Sequence, residues 1–243
     1  MTRKLQVTHL SKMYDRQPVL QEISFAVPQG EVFCILGRSG GGKTTLLKCL
    51  AGLEEPDAGQ VFWGGEELTR VPANRRNLLY LYQEPLLFPH LTARENIAFG
   101  LQVRGRPKAE IREQVEAYLR ELGLDDHGHK YPHQLSGGQK QRVNFGRALI
   151  VNPRVLLLDE PFGKLDAQTR AAMQALYQNV CRTHGITSVF VTHDAKEALL
   201  VGNTFGRLED GRLDLFSSTL NFVRDPRNGV QEEIDFWKGI SEK

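Results

Sequence analysis

The chain has 243 residues, 40% hydrophobic and 25% charged, the composition of an ordinary soluble protein long enough to bury a sizeable core unaided. Its 31 basic and 29 acidic residues leave a net charge of +2, so there is no electrostatic case for nucleic acid as a partner. Cys34, Cys49 and Cys181 are scattered, with neither a disulfide framework nor zinc-site spacing, and are expected to be packing residues in a reducing compartment. The N-terminal MTRKLQVTHLSKMYD is too polar for a signal peptide, and no apolar run approaches the roughly 18 residues of a membrane span. A cytoplasmic protein is expected, one that serves a membrane only through another chain.

Residues 3–35 predict short strands: LQVTHL, then Val19 to Val27, a turn at Pro28–Gly30, and Val32 to Leu36. The last is a continuous apolar run, as suits a buried parallel strand. Residues 43–53 carry Leu46, Leu47, Leu50 and Leu53 at helical spacing, with Pro56 as the expected stop. Asp57 to Gly65 reads as turn, strand and turn. Pro107 to Gly123 predicts a helix with Ile111, Val115, Leu119 and Leu122 on its apolar stripe. Ser136 opens another, to about Val151. Val155 to Leu158 and Ser188 to Val191 are expected buried strands. Between them Asp166 caps a helix bearing Met173, Leu176 and Val180, closed by His184–Gly185. Strands alternating with helices imply a mostly parallel α/β sheet with crossover connections.

Between the Val32–Leu36 strand and the helix after it lies GRSGGGKT: Gly37, Arg38, Ser39, Gly40, Gly41, Gly42, Lys43 and Thr44, with Thr45 following. This is the strand–loop–helix context that the G-x-x-x-x-G-K-[ST] phosphate loop requires. The glycines free the backbone to turn N–H groups around phosphate oxygens, and the helix N-terminus adds positive potential. Lys43 is expected on the β- and γ-phosphates of a nucleoside triphosphate and Thr44 on Mg²⁺; alone, the loop identifies only an NTPase. VLLLDEP then ends a buried strand on two carboxylates, where open α/β sheets bind ligands. Asp159 is placed to hold the Mg²⁺ shell, and Glu160 to orient and deprotonate an attacking water.

Leu135 to Gln139 read LSGGQ: Ser136 as an N-cap, Gly137 and Gly138 freeing donors at a second helix start, then Gln139. This pentapeptide is the signature of the ATP-binding cassette (ABC) ATPases, and from about residue 5 to 200 the chain resembles that family. The resemblance implies further roles. Tyr14 in SKMYD is similar to the aromatic residue stacking on adenine, and Gln83 to the glutamine that touches Mg²⁺ and faces the transmembrane subunits. Asp166 in PFGKLD matches the loop crossing between two ATPase subunits, and His193 in FVTHD the switch histidine on the γ-phosphate. The family pairs two such subunits head to tail, so each ATP lies between one subunit's Gly37–Thr44 loop and the other's Ser136–Gly138 segment.

The resemblance further implies a single ABC domain over 1–243. A P-loop NTPase core is joined to an N-terminal antiparallel β lobe (about 1–35 and 57–82, with core strands) and an inserted α-helical lobe (84–150). Core follows at 151–210 and a tail at 211–243. LLFPHLTARENIAFGL and PFGKLDAQTR are similar to importers of inorganic anions, iron, polyamines, thiamine and sugars. Expected partners are a second ATPase subunit, transmembrane permease subunits and an extracytoplasmic solute-binding protein, with the chain peripheral on the cytoplasmic face of a bacterial inner membrane. The alternative, a mechanical switch on nucleic acid or ribosomes, usually has two cassettes or long coiled coils, and no sustained heptads occur here. Departures from the family pattern are Asn144, Phe145 and Gly146 after the signature and Asn203–Thr204 for Asp-Arg; a regulatory β-domain is not expected within the 243 residues. For Phe236 and Trp237 two places are open, the domain or a partner, and packing on the domain is the expectation.

Overall fold

The computed structural model describes residues 3–232, 234 and 235, so Phe236 and Trp237 lie outside the described residues. Strands β1 (Lys4–Tyr14) and β2 (Gln17–Pro28) form a hairpin turned at Asp15 and Arg16, both at positive φ, the turn that matches strand twist. β3 (Val32–Leu36) is buried at every position, as its unbroken apolar run requires. α1 (Lys43–Ala51) stops at Gly52, in the left-handed conformation, before Pro56 is reached. β4 (Ala58–Trp63) and β5 (Glu66–Glu67) complete an antiparallel sheet of order β2-β1-β4-β5.

The one-turn α2 (Ala73–Arg76) leads into β6 (Leu78–Leu81). Three helices then make a lobe: α3 (Ala93–Val103), α4 (Lys108–Glu121) and α5 (Gly137–Leu149). The chain returns through β7 (Val155–Asp159), α6 (Ala167–His184), β8 (Ser188–Thr192), α7 (Ala195–Val201), β9 (Thr204–Glu209), β10 (Arg212–Phe216) and α8 (Thr219–Arg224). The second sheet has order β10-β9-β3-β8-β7-β6, parallel except for β10 on β9. This is the mostly parallel core with an antiparallel β lobe and a helical lobe that the sequence predicts.

Leu46, Leu47 and Leu50 of α1 pack between the two sheets against Leu10, Ile23, Val61, Leu157 and Val189. The opposite face of the parallel sheet is covered by α5, α6 and α7 around Phe162, Tyr177 and Phe190. Three residues that depart from the family pattern find their reason here. Phe145 joins this aromatic cluster, its ring centroid 6.0 Å from Phe162 and 5.9 Å from Tyr177. Gly146 lets α5 approach its neighbours, since a methyl there would meet Leu122 Cδ1 at 2.7 Å. Asn203 replaces the usual acid without loss of anchorage: its Oδ1 accepts from Val32 N–H at 2.8 Å, starting β9 beside β3.

The far end of α1 is fixed by Arg76, 3% exposed. Its guanidinium donates to Cys49 O and Leu50 O at 2.9 Å each, Thr69 O at 2.7 Å and Val71 O at 2.6 Å. A cation here satisfies orphan helix carbonyls and complements the negative end of the helix dipole. Burial holds the Arg76 pKa below its ordinary value, and the carbonyl cage is what keeps the charge.

Candidate functional site

Gly42, the N-cap of α1, sits at φ 93° and offers no side chain to cap the helix. A Cβ at Gly42 would lie 2.8 Å from Val19 O, so β2 closes over the loop only because the residue is glycine. The first N–H groups of α1 are thereby left for an anion. A cleft of about 360 Å³ opens at this point. Ser39, Gly40, Gly42, Lys43, Thr44 and Thr45 line one side, Gln83, Asp159 and Glu160 the other, and Val19 the rim.

Lys43 is 4% exposed. Its ammonium donates to Gly37 O at 2.8 Å and Arg38 O at 3.0 Å, and pairs with Glu160 Oε1 at 3.1 Å. Gly41 N–H closes the loop on Arg38 O at 3.2 Å. Glu160 Oε2 lies 2.8 Å from His193 Nδ1, so the carboxylate stands between the lysine and the histidine. Glu160 has φ 44°, a left-handed conformation that a non-glycine residue adopts at a cost of about 1–3 kcal/mol. That bend turns the chain off the end of β7 directly after Asp159.

Asp159 Oδ2 accepts from Thr44 Oγ1 at 2.8 Å and from the Tyr80 hydroxyl at 2.5 Å. Burial first, and then this bond to Asp159, push the Tyr80 phenol well above its ordinary pKa. The Thr44 hydroxyl, the Asp159 carboxylate and the Gln83 amide are hard oxygen donors facing one cleft, a set that fits Mg²⁺ shared with phosphates. Among the described residues no group of three His, Cys, Asp or Glu side chains forms a metal cage. Mg²⁺ characteristically uses one or two protein oxygens and completes its shell from substrate and water.

Three of the sequence-predicted groups stand apart from this cleft. Tyr14, 41% exposed, ends β1 with Lys12 Nζ 5.5 Å from its ring centroid. Ser136 caps α5: its hydroxyl accepts from Gln139 N–H at 3.3 Å while Gln139 Oε1 accepts from Ser136 N–H at 3.0 Å. Gly137 and Gly138 of that helix start lie against Leu165 and Thr169, and none of Ser136–Gln139 lines the cleft. Asp166 caps α6 on Thr169 N–H at 3.0 Å, a bond that lowers its pKa. α5, which begins at Ser136, is tied to the chain just after the acid pair by Gln141, whose Nε2 donates to Pro161 O at 2.9 Å.

The sequence reading does not single out Tyr80, Val19 or Gln141. Tyr80 is hidden in the apolar LLYL run; its signal is a strand register, Tyr80 opposite Leu157, that sequence alone does not supply. A second, apolar cleft of about 360 Å³ is walled by Tyr82, the residue before Gln83, with Leu86, Phe88, Phe99 and Arg147. Among the described residues no helix is long and apolar enough to cross a membrane.

The family model described as ABC transporter matches residues 20–163. The chain is 44% identical over 220 residues to the spermidine/putrescine import ATP-binding protein PotA of Protochlamydia amoebophila, covering 90% of this chain and 59% of that one. It is 43% identical over 228 residues to the sulfate/thiosulfate import ATP-binding protein CysA of Mycobacterium tuberculosis, covering 94% of this chain and 65% of the relative. The CysA of Synechocystis is 45% identical over 220 residues, 90% of this chain and 62% of the relative. The chain thus spans about three fifths of the length of these relatives. With the phosphate loop, acid pair and signature helix arranged as described, the chain belongs to the ABC transporter family.

Proposed function

We propose that this chain binds MgATP in the Gly37–Thr44 cleft and hydrolyses it to drive import of a small solute through separate permease subunits. The observation that carries the reading is the convergence of Lys43, Thr44, Gln83, Asp159, Glu160 and the open N-terminus of α1 on one cleft. An ammonium and a helix N-terminus bind phosphate oxygens. Mg²⁺, when bound, neutralises phosphate charge, and Thr44, Asp159 and Gln83 would hold it. Glu160 takes the proton of the attacking water, and His193, bonded to Glu160 Oε2, orients that carboxylate and faces the γ-phosphate.

Ser136–Gly138 form a second anion-ready helix start that does not line this chain's cleft. Its use is a second copy's nucleotide, each ATP lying between one copy's lysine loop and the other's signature helix. Tyr14 stacks on adenine and Asp166 lies at the crossing between copies. Closure by the γ-phosphate and opening after hydrolysis supply the differential affinity that moves the permease. The apolar cleft walled by Tyr82, the residue before Gln83, offers the permease a dry surface. The import ATP-binding names of the relatives support import over export, with an extracytoplasmic binding protein and the permease choosing the solute at the cytoplasmic face of a bacterial inner membrane.

The test is Lys43→Ala. Loss of a buried charge-assisted phosphate contact lowers nucleotide affinity by about 10-fold or more, read by titration with a fluorescent ATP analogue. Unchanged affinity would remove the phosphate role. Recovery of the chain with nucleic acid, and not with a hydrophobic membrane protein, would replace import by the mechanical-switch reading.

A further inference from the structure

Tyr80 pairs with Leu157 across the parallel β6–β7 register, and Asp159 lies two residues further along β7 on the same face. Two residues of strand rise about 6.6 Å, the reach of a tyrosine side chain. The phenol therefore spans from one strand to the carboxylate at the end of the next, and its hydroxyl donates to Asp159 Oδ2 at 2.5 Å. The same oxygen accepts from Thr44 Oγ1 at 2.8 Å. Two donors from two different elements fill the lone pairs of Oδ2, while no described residue hydrogen-bonds Oδ1. A carboxylate held by one donor can turn and exchange its oxygens; held by two, it cannot.

We propose that Tyr80 is a positioning residue for the metal site: it locks the Asp159 carboxylate so that Oδ1 is presented to the Mg²⁺ shell and Thr44 keeps a lone pair for the metal. The inference rests on the MgATP reading of the cleft. Tyrosine alone among the aromatic residues does this here, because its body packs in the core beneath α1 and its tip carries the hydroxyl.

The experiment is Tyr80→Phe in the full chain, which removes one oxygen and keeps the ring. Mn²⁺ is titrated into protein saturated with a non-hydrolysable ATP analogue, and free Mn²⁺ is read by electron paramagnetic resonance. Loss of an outer partner of a metal ligand is expected to weaken Mn²⁺ by about 10-fold, while affinity for the analogue without metal changes less than about twofold. Tyr82→Phe, whose ring meets Tyr80 edge-on at 4.4 Å, is the control and leaves Mn²⁺ affinity unchanged. Equal or tighter Mn²⁺ binding by Tyr80→Phe overturns the assignment while the nucleotide reading stands. Metal-bound and metal-free affinities falling by one common factor also overturn it, since that marks a general packing defect. Wild-type protein that takes up no analogue overturns both.

Discussion

Glu160→Gln removes one negative charge and preserves shape. The Lys43 ammonium donates to Gly37 O and Arg38 O and is ion-paired with Glu160 Oε1 at 3.1 Å. A phosphate oxygen must take one of those places, and Glu160 is the partner on a side chain able to swing away. At 3.1 Å, with exposures of 4% and 17%, the ion pair is worth ~5 kcal/mol of gross attraction at an effective dielectric of about 20. Most of that is recovered when phosphate replaces carboxylate. What remains as a handicap to the nucleotide is the part of the ion pair that a neutral amide lacks, about 1–1.5 kcal/mol, the net scale of one charge-assisted contact. Glu160→Gln is therefore expected to bind ATP about 5- to 10-fold more tightly and to turn it over roughly 10²- to 10⁴-fold more slowly. Titration with a fluorescent ATP analogue and single-turnover phosphate release read the two effects separately. Wild-type turnover would remove Glu160 as the base. Slow turnover with unchanged or weaker affinity would refute the exchange at Lys43.

Two further outcomes test the scaffold. Arg76→Met leaves four carbonyls without their shared donor and is expected to lower stability by about 3–5 kcal/mol, a melting temperature reduced by roughly 10 °C in a chain of this size; a loss under about 1 kcal/mol would show that water replaces the clamp. Glu197 is 4% exposed, accepts from Thr192 Oγ1 and Gln174 Nε2, and has a pKa raised from 4.5 chiefly by burial. The native state then holds the proton more tightly than the unfolded chain, so stability falls as pH rises from about 4.5 through the raised value. Relative to Glu197→Gln, the wild-type melting temperature is expected to drop across that window; a flat difference would show that the two hydrogen bonds offset the burial.

The chemistry was legible in the sequence wherever it is contiguous. GRSGGGKT carries its glycines, lysine and hydroxyl within eight residues, and the flanking β3 and α1 announce themselves by an unbroken apolar run and a leucine stripe. The caps Ser136 and Asp166 were equally plain, because capping is decided within four residues. α3 is different: no helix is assigned there from sequence, although Thr92 and Glu95 form a complete capping box. Its apolar residues are not confined to one face, Ala93, Ile97, Ala98 and Leu101 being buried while Val103 is exposed, so the stripe is blurred in the sequence and resolved only by packing against α5.

Contacts between distant segments had no local signature. Tyr80 and Asp159 meet because β6 and β7 are neighbours, an order set by the whole sheet. Arg76 is a buried cation with carbonyls in place of an acid, so charge pairing gave no cue to it. The pairing of Lys43 with Glu160, which decides how the nucleotide enters, likewise joins residues more than a hundred positions apart.

The most direct test concerns the sharing of one triphosphate by two copies. Light scattering gives the molar mass of Glu160→Gln at saturating MgATP and again after the nucleotide is removed. Joint gripping by the lysine loop and the Ser136 helix start requires twice the 27.4 kDa chain mass with MgATP and the single-chain mass without it. A single-chain mass throughout, also in the presence of its permease, would contradict the shared site.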